Sequence, residues 1–422
     1  YAGHQFGGWV PQLGDGRAIL LGEVVSSNGF RYDLHLKGSG QTPFSRNGDG
    51  RAWVGPVLRE YIISEAMAAL GIPTTRTLAA VTTGEMVMRE GPFPGALLAR
   101  VASSHIRVGT FQYFAAKQDI DALRLLSNYI IERHYPEAQN SSNAYLALLE
   151  CVIKRQSKLI AQWMAVGFIH GVMNTDNMSI AGDTIDYGPC AFMDNYNPGT
   201  VFSSIDQMGR YAYSNQPLIA HWNLSCFASA ILPLINTNEN AAVSAVTEML
   251  NHFPEQYDAA WASNFCSKIG LLDQQEGDAE LAKELLDCMA KNKADFTLTF
   301  RQLCEMSRET DKKNRLLDMR FTGLFEDQSA VECWLKKWRQ RLCKEKRSNL
   351  ERQKAMRAVN PAYIPRNHRV EEVIVAALER NFDPFEKFLE ILLQPYEEQI
   401  ENIKFQAPPL PEEIVLATFC GT

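Results

Sequence analysis

Two kinds of hydrophobic spacing divide the chain, and the change between them falls about a quarter of the way along. Before that point, segments 18–25 and 32–37 are rich in β-forming residues, and the second alternates from side to side as a strand does. Residues 54–70 instead carry apolar positions at helical spacing, closed by Gly71 and Pro73. The first quarter of the chain is therefore predicted to be a sheet that carries one prominent helix.

Two further strands are predicted at 78–82 and 85–89, paired with each other across a turn at Thr83-Gly84. Beyond them helical spacing dominates, and helices are predicted over 120–134, 145–166, 220–235 and 241–253. The fold class is therefore α+β, with the sheet first and the helices after it.

The last third of the chain is helical and highly charged, with basic residues recurring from Lys336 to Arg357. This pattern is typical of the solvated face of a long amphipathic helix, whose apolar stripe is supplied by Trp334, Leu335, Trp338 and Leu342. A basic binding patch is the alternative interpretation of the same charges.

Composition narrows the classes of function. The 422 residues contain 42 Lys and Arg against 49 Asp and Glu, and the formal net charge of −7 argues against a nucleic-acid partner. Nine scattered cysteines without C-x-x-C spacing indicate neither a zinc ribbon nor a redox pair, and favour the cytoplasm.

The most apolar run, 227–235, is too short for a membrane span. The chain begins at Tyr1 without a signal peptide, and we expect that some tens of residues precede it.

The pentapeptide Gly-Asp-Gly-Arg-Ala occurs twice, at 14–18 and at 48–52. Glycines on both sides of an Asp permit positive φ and a close backbone approach to phosphate, and the adjacent Arg can bind anionic oxygens. Each copy alone is also a common turn sequence. No Walker A motif and no clean G-x-G-x-x-G is present, so the P-loop and Rossmann classes are excluded.

Lys37 ends a predicted strand, and Glu60 lies on the predicted helix that follows. A strand Lys paired with a helix Glu is the device by which protein kinases hold nucleotide phosphates. A surface position beside Arg59 is the alternative for Glu60.

The segment 170–188 carries the strongest local signal. It places Asp176 and Asn177 on a loop, then a small hairpin over 178–185, then Asp186 before an aromatic residue and a glycine. Kinase-like enzymes present a base and two hard-oxygen ligands for Mg²⁺ or Mn²⁺ in this order. Turn capping is the structural alternative. In kinases the acid precedes the amide by several positions, whereas here the two are adjacent.

Arg100 and Arg107 flank Ser103-Ser104-His105, and a helix over this stretch would place both on one face. Surface ion pairs are the ordinary role of such arginines. Their convergence with Arg17 and Lys37 would create a local anion pocket in an otherwise acidic chain.

Taken together, these motifs resemble the selenoprotein O family, also called the YdiU family, of protein adenylyltransferases with a pseudokinase fold. The resemblance covers essentially the whole chain and rests on the segments 1–7, 14–17, 36–38, 48–51, 100–107 and 170–188, with Asn360-Pro361 and Cys420.

The resemblance implies a protein-kinase-like bilobal fold: a sheet-rich lobe over 1–115, a helical lobe over 116–310 and a helical extension over 311–422. It implies that ATP binds in a flipped orientation, so that AMP passes to a Ser, Thr or Tyr hydroxyl of a protein substrate and pyrophosphate leaves. Transfer of UMP from UTP is implied for bacterial members.

The resemblance also assigns roles to residues. Asp176 would accept the hydroxyl proton, Glu60 would hold Lys37, and Mg²⁺ or Mn²⁺ would be bound by Asn177 and Asp186. The positions that would contact the nucleotide are Gly14, Gly16, Arg17, Lys37, Asp49, Gly50, Arg100, Arg107 and Asp186, with the two later arginines on the γ-phosphate.

Two alternatives to nucleotidyl transfer remain at this point: a kinase-type enzyme that transfers the γ-phosphate, and an inactive pseudokinase scaffold. Cys420 corresponds to a position that carries selenocysteine in some family members. A redox pair with Cys190 is one hypothesis for it, and an ordinary cytosolic thiol is the default.

Overall fold

The computed structural model describes residues 2–12, 18–45, 48–310 and 314–419. A short antiparallel pair opens the chain, β1 (Gly3–Gln5) with β2 (Gly8–Val10). A larger antiparallel sheet follows, with the order β3-β4-β7-β5 and with β6 on the other side of β7. Its strands are β3 (Ala18–Val25), β4 (Arg31–Lys37), β5 (Ala52–Trp53), β6 (Arg76–Met88) and β7 (Pro92–Ala102).

The strands predicted at 18–25 and 32–37 are confirmed as β3 and β4. The strand pair predicted at 78–82 and 85–89 is wrong, because both segments belong to the single strand β6. All of β6 pairs with β7, and a register shift between Thr82 and Met86 absorbs the Thr83-Gly84 step that resembled a turn.

The helix predicted at 54–70 is confirmed as α1 (Val54–Ala69). One side of α1 packs on β6 and β7, and another side contacts two helices from the end of the chain, α12 (Asn367–Leu378) and α13 (Asp383–Leu392). These elements share a hydrophobic core around Ile62, Leu98 and Val370. The core beneath the sheet is therefore built from an early helix of the chain and from two helices near its end.

Helices build the rest of the described chain around a second and larger core. The predictions at 120–134 and 145–166 are confirmed to within one residue, while the two that follow extend further than predicted. The helix predicted to end at residue 253 continues through Pro254 to Lys268, because its distal turns bury Phe265 and Cys266 in the core. The helices are α2 (Val108–Ala116), α3 (Ile120–His134), α4 (Ala144–Val166), α5 (Gln216–Ile235), α6 (Glu239–Lys268), α7 (Asp278–Asn292), α8 (Phe296–Leu303), α9 (Arg315–Thr322), α10 (Gln328–Leu342) and α11 (Asn349–Arg357).

By length and composition, the helical stretch Tyr213–Ile235 is apolar enough to cross a membrane. Half of its most apolar window is buried inside the fold. There α5 packs against α2, α4 and α6, which is the environment of a core helix.

The basic segment near the end of the chain forms two helices instead of one. The apolar stripe of α10 is buried as predicted, but the helix ends at Leu342, and Ser348 caps a new helix, α11. Two arginines of this segment are buried. Arg341, on α10, pairs with Asp278, and Arg352, on α11, donates to a backbone carbonyl. The interpretation of these charges as a purely solvated face is therefore wrong at these positions.

The hairpin predicted over 178–180 and 184–185 is also wrong. Ser179 bridges to Arg107, and Thr184 bridges to Thr74, so the two segments pair with other parts of the chain. A two-stranded pair does form nearby, between β8 (Phe168–Ile169) and β9 (Ala191–Phe192). The segment from β8 to β9 is thus fixed at both ends and attached to the sheet region in the middle.

Candidate active site

The buried face of β4 and β7 carries polar side chains. In the register of the two strands, Lys37 lies opposite Leu98 and His35 lies opposite Arg100. Because alternate residues share a face, His35, Lys37 and Arg100 project to the same side of the sheet. His35 and Arg100 are buried, and His35 Nδ1 accepts a hydrogen bond of 2.9 Å from Arg100 Nε. The sheet therefore presents two cations toward the helical part of the molecule.

The ion pair predicted between Lys37 and Glu60 is present. Lys37 Nζ lies 2.6 Å from Glu60 Oε2, and Glu60 Oε1 accepts a hydrogen bond of 3.0 Å from Arg100. Glu60 is only 3% exposed, so the alternative of a surface role is excluded. One helix carboxylate thus holds a cation from each of two neighbouring strands.

Asp186 is the second carboxylate of this cluster. Its Oδ1 lies 2.6 Å from Arg100 Nη1 and 3.7 Å from Lys37 Nζ, and its Oδ2 lies 3.0 Å from Arg107 Nη2. Burial alone would raise the pKa of Asp186, but Arg100, Arg107 and Lys37 hold it well below its usual value. Among the described residues, Lys37, Arg100 and Arg107 bring three cations to the two carboxylates of Glu60 and Asp186, and such a concentration of cations can attract an anionic ligand.

Arg100 and Arg107 converge, as the anion-pocket hypothesis required, but they do not do so on one helix face. Arg100 lies within β7, and Arg107 is the residue that precedes α2. The chain between them turns, and their guanidinium groups meet at Asp186. The prediction of a shared helical face is therefore wrong, although the two side chains do come together.

The loop that carries Asp176 and Asn177 forms a single 3₁₀ turn, Thr175–Asn177. Asn177 Nδ2 donates to the carbonyl of Val172 at 2.9 Å, which fixes the amide within its own loop. Below it, the buried ring of His170 bonds through Nε2 to the carbonyl of Ile185 at 2.8 Å. This bond ties the loop to the residue before Asp186, so the two parts of the motif are held together.

Asp176 is buried, at 4% exposure, and one of its oxygens accepts a hydrogen bond from Gln5 Nε2. Burial raises the pKa of the Asp176 carboxyl, and the contact with Gln5 partly offsets that increase. A carboxyl group with a raised pKa is suited to exchange a proton.

Two of the residues that could hold a divalent metal are Asn177 and Asp186. Asn177 Oδ1 accepts no hydrogen bond from the described residues, and the Asp186 carboxylate supplies hard oxygens of the kind that Mg²⁺ and Mn²⁺ prefer. The described residues contain no cluster of three or more acidic, His or Cys groups suited to a metal. This sparse donor set fits an ion that is also coordinated by substrate phosphates.

Two of the other predicted nucleotide positions, Asp49 and Gly50, are described by the structure and make contacts of their own. Asp49 accepts hydrogen bonds from Arg89, which lower its pKa, on an exposed part of the sheet region. Gly50, with φ of +65°, closes the loop after Lys37, because its carbonyl accepts from Gly40 and a Cβ there would strike Gly40. Gly14, Gly16 and Arg17 lie outside the described residues, as does Cys420.

Sequence reasoning missed the contributions of both chain ends. At the start of the chain, the segment that bears Gln5 lies on the Asp176 loop, although no chemistry was assigned to it. At the other end, Phe419 lines the same space as Lys37, Glu60 and Gly188. Thr418 anchors this tail by donating to the carbonyl of Pro189 at 2.6 Å. No local pattern predicts such contacts, because they join residues about 170 or more positions apart.

Comparison with known proteins shows the family of the chain. Residues 1–393 match the family described as protein adenylyltransferase SelO. The chain belongs to this family. Relatives named protein nucleotidyltransferase YdiU align over its full length: 57% identity in Bradyrhizobium diazoefficiens and 58% in Rhodopseudomonas palustris, each over 85% of the relative's length, and 56% in Rhizobium johnstonii over 84%.

Membership in the SelO family confirms the resemblance noted from the sequence motifs. It makes the chain an enzyme of the nucleotidyltransferase class, with a nucleoside triphosphate as its substrate. The largely buried cluster of Lys37, Glu60 and Asp186 is the candidate site for that nucleotide.

Proposed function

We propose that this enzyme transfers AMP from ATP to Ser, Thr or Tyr hydroxyls of protein substrates and releases pyrophosphate, and that it also accepts UTP as a UMP donor. The observation that carries the proposal is the meeting of Lys37, Arg100 and Arg107 at Asp186, next to the loop that bears Asp176. We also propose that the sheet region and the helical region correspond to the two lobes of a kinase-like fold, divided at 1–115, 116–310 and 311–422.

The three cations that converge here, Lys37, Arg100 and Arg107, suit a polyphosphate. Transfer at the α-phosphorus places negative charge on the equatorial oxygens and on the departing pyrophosphate, and fixed cations stabilise that charge. Lys37, held by Glu60, would contact phosphate oxygens, while Arg100 and Arg107 would bind the terminal phosphate. Asn177 and Asp186 would hold Mg²⁺ or Mn²⁺, which supplies further neutralisation of phosphate charge when it is bound.

In the proposed step, the acceptor hydroxyl oxygen forms a bond to the α-phosphorus as the bond from that phosphorus to the bridging oxygen breaks. The electron pair of the broken bond leaves with pyrophosphate. The hydroxyl proton passes to the carboxylate of Asp176, whose burial favours the protonated form. No other co-reactant is required.

The experiment is incubation with a protein acceptor and with ATP labelled at either the α- or the γ-phosphate, in the presence of Mg²⁺ or Mn²⁺, repeated with UTP. We expect label from the α-phosphate only, and we expect Asp186→Asn to abolish it. Label from the γ-phosphate alone would identify a kinase-type enzyme. Nucleotide binding without any transfer would identify an inactive scaffold.

A further inference from the structure

The segment from Ala2 to Val10 lies directly on the loop that carries Asp176. His4 donates its backbone N–H to Thr175 Oγ1 at 2.7 Å, and Phe6 donates its backbone N–H to Asn174 Oδ1 at 3.0 Å. Gln5, between these two anchors, is therefore held in a fixed position over the loop.

Gln5 uses this position to contact the proposed proton acceptor. Its Nε2 donates a hydrogen bond of 2.6 Å to Asp176 Oδ2. The other carboxylate oxygen, Oδ1, is buried and has no hydrogen-bond partner among the described residues. One oxygen is thus anchored, and the other keeps its capacity to accept a proton.

A carboxamide is well suited to this task. It donates an N–H without a positive charge, so it orients the carboxylate without forming an ion pair with it. Free rotation of an aspartate side chain would leave the two oxygens interchangeable, whereas the bond from Gln5 distinguishes them.

We propose that Gln5 is a positioning residue for the transfer reaction, which holds the Asp176 carboxylate so that Oδ1 receives the proton of the acceptor hydroxyl. This inference rests on the proposed function. Gln5 acts through Asp176 and has no bond to make or break itself.

The alternative is that Gln5 merely fastens the segment to the loop. The anchors of His4 and Phe6 use backbone N–H groups, which a substitution of the Gln5 side chain leaves in place. A positioning role therefore predicts a loss of turnover while Tm and nucleotide affinity are retained, and a fastening role predicts changes in those two quantities.

Two substitutions of Gln5 separate the donor from the shape of the side chain. Gln5→Glu keeps the shape but removes the N–H donors, and Gln5→Leu removes the polar group entirely. For both we expect kcat to fall by roughly 10- to 100-fold, in line with the cost of a misplaced catalytic group. Gln12→Leu is the matched control, because Gln12 is exposed on the same stretch of chain; its kcat should equal that of the wild type.

A double variant provides the decisive comparison. In an Asp176→Asn background, Gln5→Leu should cause no further loss of the residual rate, because the group that it positions has gone. The proposal would be overturned if the rate of the double variant fell by the product of the two single losses. It would also be overturned by a lowered Tm of the Gln5 variants, or by a Gln5→Glu enzyme as active as the wild type. Absence of α-label transfer by the wild type would overturn the proposed function instead, so the two failures are distinguishable.

Discussion

At the scale of single residues, the site depends on charges that share partners. Glu60 contacts both Lys37 and Arg100, and Asp186 contacts the same two cations and Arg107 as well. Removal of one carboxylate therefore weakens the pairing of more than one cation at once, which we expect to cost more than the loss of an isolated ion pair.

Glu60→Gln tests this coupling. The amide keeps the size of the side chain but removes the charge that orients Lys37 and Arg100, so we expect kcat/KM to fall by roughly 10- to 100-fold. Glu65→Gln is the matched control, because Glu65 lies on the same helix and pairs with Arg76 instead. Steady-state kinetics should show little change for the control, and equal losses in both variants would contradict the account.

The Lys37–Glu60 pair could be predicted from the sequence because each residue lies in a recognisable element at the expected spacing. The hydrogen bond that His35 accepts from Arg100 could not be predicted from the sequence, because a polar residue at an alternating position of a strand is expected to face solvent. The structure shows the opposite orientation, with His35 turned toward Arg100 on the buried face.

At the scale of elements, the short pair β1–β2 is clamped between α2 and the Asp176 loop. Gly109, in the first turn of α2, permits this clamp, because a Cβ there would lie 2.1 Å from the carbonyl oxygen of Ala2. Local patterns predicted the elements themselves. The contact of β1 with the loop depends on hydrogen bonds between residues about 170 positions apart, which no periodicity encodes.

Gly109→Ala is expected to release this segment. Ala has the higher helix propensity and would stabilise α2 by about 1 kcal/mol if no clash occurred. Because of the clash with Ala2, we expect the substitution to destabilise the protein instead. Tm should fall, and hydrogen exchange of residues 2–10 should become faster. Gly91→Ala is the control, because a Cβ at Gly91 meets no atom within 4 Å. A Gly109→Ala protein with a raised Tm and unchanged exchange would contradict the clamp.

At the scale of the whole molecule, the C-terminal helices are part of the same structure as the sheet. Arg59 on α1 donates to Asn367 at 2.8 Å, and Tyr396 donates to the carbonyl of Leu70 at 3.0 Å. The sequence predicted these helices as an extension. It could not place them on α1, because an amphipathic pattern shows which face is buried but not which partner covers it.

Two histidines, the buried His105 and the partly buried His134, make the stability of the whole molecule depend on pH. Burial lowers the pKa of His105 to about 4 and that of His134 to about 4, against 6.5 for an ordinary histidine. Between pH 4 and pH 6.5 the unfolded chain binds more protons than the folded chain. The contribution of these histidines to the free energy of unfolding is therefore complete above pH 6.5 and is lost as pH falls toward 4.

We expect the free energy of unfolding in urea to fall between about pH 7.5 and about pH 5, with about 1 kcal/mol or more from each such histidine. His134→Gln should reduce the size of this fall. His252→Gln makes the same substitution at a partly exposed position of α6 and is the control. An equal pH dependence in all three proteins would show that burial of His134 contributes nothing.

The proposed reaction requires that the α-phosphorus, and not the γ-phosphorus, is the centre of transfer. Intact-mass spectrometry of a protein acceptor after incubation with unlabelled ATP tests it most directly. We expect a mass increase equal to one AMP group on a Ser, Thr or Tyr residue, and no such increase with the Asp186→Asn enzyme. An increase equal to one phosphate group would contradict it.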